Sequence, residues 1–170
     1  MARIFSLFLI TALGLAACSE LSAPQIGPDG KPLPKVYRIR AGDTSKIQFN
    51  MVDSVNSLRT AAGASEVTLS SNLNAAAETH SRDMAKQNRP WHFGSDGSSP
   101  IDRVRRSGYQ GQMLGENISE SYETELETLA AWMETASTRD VILNRRARDI
   151  GFSWYQEPNG KIWWTMLMGG

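Results

Sequence analysis

Two hydrophobic rhythms divide this chain. From about Ser45 to Met133 the apolar positions recur every three or four residues, whereas after Asp149 they crowd into aromatic-rich runs. Met51, Val55, Leu58 and Ala62 share one face of a predicted first helix, and Gly63 is a natural left-handed terminator. A second helix starts near Ser71, with Leu73, Ala76, Ala77, His80 and Met84 on one side, and stops at Asn88-Arg89-Pro90. Ser99 can cap a short third helix, Pro100 suits its first turn, Asp102 favours its positive end, and Gly108 closes it. In a fourth, Thr124 and Glu127 have capping-box spacing, and Leu126, Leu129, Ala130 and Met133 line one face. Leu114, Glu116 and Ile118 alternate with Gly115, Asn117 and Ser119, which predicts a short strand. Ile150 to Gln156 and Ile162 to Met168 flank Glu157-Pro158-Asn159-Gly160, a hairpin signature. Several helices with a short, largely antiparallel sheet make an α+β fold.

The first 44 residues follow neither rhythm. One positive charge at Arg3 precedes the apolar stretch from Phe5 to Gly14 and then Leu15-Ala16-Ala17-Cys18, the layout of a secretory signal. The stretch is shorter than the ~20 residues that span a bilayer. Leu-Ala-Ala-Cys resembles a bacterial lipobox, in which the thiol is acylated and the cysteine becomes the new N-terminus. Cys18 is the single cysteine, so its lipidation leaves no thiol for a disulfide. Pro24, Pro28, Pro32 and Pro34 with Gly27 and Gly30 read as a tether. Within it, Val36-Tyr37-Arg38-Ile39-Arg40 reads as an extension of that tether, a strand, or a strap lying on the domain. The expected organisation is a signal at 1–18, a tether at 19–44 and one domain at 45–170, whose length suffices for one core.

Lys and Arg number 18 and Asp and Glu number 18, with no basic stripe interleaved with aromatics, which argues against nucleic-acid binding. The nucleophile elbow, the His-Glu-x-x-His helix and the phosphate-binding glycine loop are all missing from the sequence. Two histidines carry the candidate chemistry. His80, on the apolar side of the second helix, reads as a packed histidine with one ring nitrogen hydrogen-bonded. His92 follows a Pro-Trp break and reads as a loop histidine bonding backbone or as a ring facing a cleft. Glu116, among small and apolar strand residues, is an exposed carboxylate or a cleft group. Arg139, Arg145, Arg146 and Arg148 form a solvated face partly paired with Asp140 and Asp149, or a docking patch for anionic head groups or acidic polymers. Of Trp154, Trp163 and Trp164, core packing is favoured, with one left over as a groove marker.

Taken in order, Trp91-His92-Phe93-Gly94-Ser95-Asp96-Gly97-Ser98-Ser99-Pro100-Ile101-Asp102-Arg103, Gly115-Glu116-Asn117, Trp132-Met133, Arg139-Asp140-Val141-Ile142-Leu143 and Asp149-Ile150-Gly151 resemble a bacterial member of the CAP superfamily. That group takes in cysteine-rich secretory proteins, venom antigen 5 and plant pathogenesis-related proteins. The resemblance runs from about Asn50 to Gly170 and implies an α-β-α sandwich. It also implies a cleft at His92 and Glu116, with Asn117 holding the glutamate-bearing strand and Arg103 and Arg139 stapling the fold through carboxylates. Many bacterial relatives carry a second cleft histidine where this chain has Thr138. With His92 and Glu116 as the candidate metal ligands, zinc or magnesium lacks the usual three protein ligands, so no cofactor is assured.

The lipobox and the family resemblance together imply a lipid-anchored protein of the cell envelope that is more a binding module than an enzyme. In a Gram-negative host, Ser19 after the cysteine sorts it to the outer membrane, facing the periplasm or the surface. The expected partners are the membrane, through the anchor, and a lipid or envelope polymer; the domain is expected to be a monomer. The competing reading is a metal-assisted hydrolase of peptide or cell-wall bonds.

Overall fold

A computed structural model describes residues 36–121 and 123–170. Cys18, the signal and the proline-rich part of the tether lie outside them. The compact unit runs from Val36 to Gly170. Its elements are α1 (Thr44–Ala61), β1 (Thr68–Leu69), α2 (Ser71–Gln87), α3 (Pro100–Arg106), β2 (Met113–Ser121), α4 (Glu125–Glu134), α5 (Ala136–Ile142), β3 (Asp149–Gln156) and β4 (Ile162–Gly169). A 3-10 turn at Ala41–Asp43 leads into α1. Ahead of it, the Val36–Arg40 strap lies on the domain. The Gln156 amide donates to Tyr37 O and accepts from Ile39 N, and the Tyr37 hydroxyl donates to Glu125 Oε2 at 3.2 Å.

The helix punctuation read from the sequence is largely the punctuation the chain uses, although the Ser70 cap and the separate α5 were not read from it. Ser70 caps α2, Asn88 ends it in the left-handed region (φ 50°), and both α3 and α4 open on capping boxes. Gly63 and Gly108 carry positive φ at the ends of α1 and α3.

The faces differ more than the ends do. The buried stripe of α1 is Ile47, Met51, Val55 and Arg59, a strict i+4 series, while Leu58 is half-buried and Ala62 exposed. On α4 the buried positions are Glu125, Thr128, Leu129 and Trp132; Leu126 and Ala130 face solvent. There the polar Glu125 and Thr128 displaced the more apolar candidates because Trp132, the largest side chain of the helix, sets which side turns inward.

The sheet has the order β1-β3-β4-β2, with β1 parallel to β3 and β4 antiparallel to both neighbours. Central β4 is buried at all eight positions because helices cover both sides. Ile150, Phe152, Trp164, Met166 and Met168 join Ile47, Met51, Val55, Trp132 and Ile142 in the larger core beneath α1, α4 and α5. Phe152 and Trp164 stack at 5.4 Å. Trp163 is fully buried and Trp154 is half-buried against the larger core, so all three hairpin tryptophans pack. The smaller core, Leu73, Ala76, Ala77, Val104 and Leu167, lies beneath α2 and α3. Here α2 crosses so closely that a Cβ at Gly151 would overlap the Leu73 main chain. This is the α-β-α sandwich, an α+β fold with a short, mostly antiparallel sheet.

Strand β2 departs from simple alternation. Its register slips between Met113 and Gly115, so Leu114 packs in the larger core although Glu116, two residues on, lies across the sheet. A bulge inserts one residue and reverses the side to which later positions point. The alternation that placed Leu114 with Glu116 therefore fails at that point, and the slip aims the glutamate at α2 and α3.

Candidate functional site

Glu116 is set opposite Leu167 on β2, where the register turns its side chain under α2 and α3. That side chain is 2% exposed, and both carboxylate oxygens are taken. His92 Nδ1 lies 2.8 Å from Oε1, and Arg103 Nη2 donates to Oε2 at 2.6 Å. Arg103 also donates through Nη1 to the His92 carbonyl at 2.9 Å. One guanidinium thus fixes both the glutamate and the backbone that carries the histidine, a charge-assisted arrangement stronger than neutral pairs.

The positions follow from local chemistry. Left-handed Asn88 ends α2 and Pro90 keeps the chain out of a further turn, and the loop after His92 is closed by Gly94 N to Ser98 O (2.8 Å) and by Asp83 accepting from the Ser95 amide and hydroxyl (2.6 Å each). Asp96 accepts from the Ser98 amide and from Arg106; the Ser98 hydroxyl, then Arg106, hold its carboxyl well below the usual carboxylate range. The Ser99–Asp102 capping box then starts α3 one turn before Arg103, which points inward.

Because a carboxylate only accepts, His92 Nδ1 carries the proton, and Nε2 has no hydrogen-bond partner among the described residues. The ring is half exposed, with Phe93 (48% exposed) and Ile101 (50%) nearby in the sequence as exposed apolar groups. Beneath it lies His80, fully buried, with Nε2 donating to Trp91 O at 2.9 Å and standing 3.8 Å from Glu116 Oε1. Its Nδ1 has no partner among the described residues, and burial, only partly opposed by Glu116, lowers its pKa, which favours the neutral ring. The helix-packing reading of His80 fits this environment; its closeness to Glu116 had no signal in the sequence beyond a polar residue on an apolar face. Arg103 Nε is also unpartnered, and Arg103 forms part of the wall of a groove of about 570 Å³ between α2 and α3.

Asn117 and Thr138 belong together, but elsewhere. Adjacent strand residues point to opposite faces, and Asn117 Nδ2 donates to Thr138 O at 2.9 Å, tying β2 to α5. The Thr138 hydroxyl sits between the carbonyls of Trp132 (2.5 Å) and Thr135 (3.1 Å). His92 and Glu116 are therefore one contact, and Asn117 with the Thr138 backbone another.

Arg103 does staple through a carboxylate. Arg139 does not: it donates to Met133 O at 2.9 Å, because the end of α4 presents unpaired carbonyls there. Arg145, Arg146 and Arg148 likewise bond carbonyls and the Gln112 amide oxygen rather than Asp140 or Asp149. Asp149 is engaged by the Tyr109 hydroxyl at 2.7 Å. Sequence reasoning gave no role to Arg59, a fully buried guanidinium that donates to the carbonyls of Ser65, Ile142, Asn144 and Ala147. The one trace it left was its i+4 step from Val55.

A divalent metal does not fit these residues. Among the described residues no three His, Cys, Asp or Glu side chains gather as a ligand set. Glu116 already holds a guanidinium, and three protein ligands are the usual minimum.

Comparison with known proteins completes the identification. Residues 52–168 match the family model "CAP: Cysteine-rich secretory protein family". An uncharacterized protein of Bacillus subtilis strain 168, YkwD, is 28% identical over 125 residues, which cover 74% of this chain; the chain spans about half (48%) of that relative. An outer surface protein of Borrelia burgdorferi has the same fold at TM-score 0.65 and 14% identity, covering 79% of this chain and 98% of that one. An extracellular protein containing an SCP domain from Bacillus anthracis gives 0.66 at 21% identity, covering 86% and 45%. A cysteine-rich secretory protein from Staphylococcus aureus gives 0.63 at 11%, covering 84% and 44%. Motif order, sandwich topology and the family match agree: the chain belongs to the CAP, or cysteine-rich secretory protein, family.

Proposed function

We propose that this protein is an extracytoplasmic binding module, anchored through lipid on Cys18, whose cleft at His92 takes a lipid or an envelope component. The observation that carries the reading is the saturation of Glu116. A carboxylate that is 2% exposed and held at both oxygens by Arg103 and His92 is screened from solvent water, so it is a poor general base. What this site offers a ligand is a half-exposed His92 ring followed in the chain by exposed Phe93, which stacks at a tilt on Trp91, a polar group and apolar groups in one loop. Such a pairing suits an amphipathic molecule. The leader-like N-terminus supports a location outside the cytoplasm, as do structural neighbours described as outer surface or extracellular proteins.

The test is calorimetry on the full chain carrying Cys18→Ala. A lysophospholipid below its micelle concentration and soluble muropeptides serve as probes. Binding of either, reduced at least tenfold by His92→Ala and unaccompanied by any cleavage product, is the expected result. Release of product, or low-micromolar zinc binding lost in His92→Ala, would return the hydrolase reading to first place.

A further inference from the structure

Arg139, Arg145, Arg146 and Arg148 run through α5 and the loop into β3, and none is among the ion pairs formed by the described residues. The last three are exposed. Arg145 donates to Gly63 O at 2.9 Å and Ala62 O at 3.1 Å, the end of α1; Arg148 donates to Ala147 O at 3.2 Å. Directly below, Arg59 donates to the carbonyls of Ile142, Asn144 and Ala147. Carbonyl dipoles hold these guanidiniums in place but do not cancel their charge. Burial and then the charge of Arg148 lower the Arg59 pKa, a sign that positive groups crowd here.

The charged loop runs into an apolar strip. Arg148 O accepts from Thr68 N at 2.9 Å, and the next residue, Leu69, is 42% exposed. Leu69 lines a groove of about 300 Å³ with Val52 and Phe49 of α1, and Phe49 is 69% exposed. Phe49 and Ala62 stand about 20 Å apart along α1 at the helical rise. The arginines stand at the C-terminal end of α1 and the exposed aromatic in its first half, with Thr68 and Leu69 between Arg148 and the Phe49 groove.

We infer that this strip docks on a bilayer containing anionic phospholipid, with Arg145 and Arg148 on headgroup phosphates and Phe49 and Leu69 at the acyl boundary. Charge complementarity selects an anionic partner, and the apolar half selects a lipid surface over an acidic polymer, which would leave Phe49 in water. The surface is separate from His92 and Glu116, whose contact lies on the α2 and α3 side of the sheet.

The experiment is vesicle flotation of the full chain with Cys18→Ala, on phosphatidylcholine alone and with about a third phosphatidylglycerol. The expected result is binding to the anionic vesicles only, weakening as salt rises. A cationic residue near such a surface contributes about fivefold, so Arg145→Glu with Arg148→Glu weakens binding by about 30-fold or more. Arg145→Lys with Arg148→Lys retains binding, which separates charge from a folding defect. Phe49→Ser costs several-fold at unchanged charge, and His92→Ala has no effect, which keeps this inference independent of the cleft. Equal binding to neutral vesicles, or full binding by the folded double reversal, overturns the proposal. So does an unaffected Phe49→Ser chain that dextran sulfate displaces from the vesicles, since the strip would then be a general polyanion site.

Discussion

The two faces of the sheet each bury an arginine, and the contrast separates scaffold from site. Under α1, α4 and α5 the core is apolar, and Arg59 enters it to satisfy four carbonyls of the Ser65 and Ile142–Ala147 turns. Under α2 and α3 the apolar cluster is smaller, and Arg103 spends its charge on Glu116 and its second amino group on the His92 backbone, leaving Nε unpartnered. The first arginine replaces secondary structure where the chain turns. The second holds a carboxylate and an exposed imidazole in fixed relation. Burial alone does not distinguish them; the chemistry of the acceptor does.

Removing each arginine sharpens the contrast most. Arg59→Met orphans several buried carbonyls at ~1–3 kcal/mol each, so a loss of about 4 kcal/mol is expected in urea unfolding. Arg59→Lys recovers little, because one ammonium cannot span four acceptors. A loss below about 1 kcal/mol would mean that water replaces the guanidinium and the scaffold assignment is wrong. Arg103→Met strands a buried carboxylate and costs about 3 kcal/mol, at the low end for broken buried pairs. Adding Glu116→Gln restores more than half of it. No second substitution rescues Arg59→Met, and failure of the Glu116 rescue would erase the distinction.

Next in size is the spacing of the layers. Gly151→Ala forces its methyl into the Leu73 main chain and costs about 2 kcal/mol, whereas at Gly115 the added methyl meets only the Val141 side chain and costs less. Equal melting temperatures for the two variants would show that α2 is not pinned to the sheet.

The smallest effect is a pH dependence confined to the cleft face. Burial lowers the His80 pKa, so the unfolded chain binds a proton that the folded chain refuses. That contribution is complete above the ordinary histidine value of 6.5 and is lost as pH falls below it toward the depressed folded value. The decline stays within ~1.4 kcal/mol per pH unit. His80→Gln flattens this part of the curve, and a wild-type curve that is already flat from pH 7.5 to 5.5 would contradict a neutral, buried ring.

Much of the scaffold was legible because it is written locally. Ser99 and Thr124 stand where helices begin, and Gly63, Asn88 and Gly108 where they end, since capping needs only residues a turn apart. The pairing of His92 with Glu116 came instead from the order of motifs, because a contact between residues 24 positions apart leaves no periodic trace.

What escaped depended on partners. Trp132 rather than apolar count decided which side of α4 turned inward, and a one-residue slip in β2 separated Leu114 from Glu116. Where the arginines went was equally hidden: Arg139 and Arg145 found carbonyls that are unpaired only once α4 and α1 have ended beside them. By itself the sequence determined the ends of the first four helices, the hairpin, the family and the candidate pair, because propensity, capping and motif order act along the chain, whereas α5 and β1 were not read from it. Only the tertiary structure decided that Glu116 is buried with both oxygens bonded, that Asn117 serves the opposite face, and that Arg139, Arg145, Arg146 and Arg148 form no ion pair among the described residues. Each of those turns on which donors and acceptors meet across the sheet once water has been excluded.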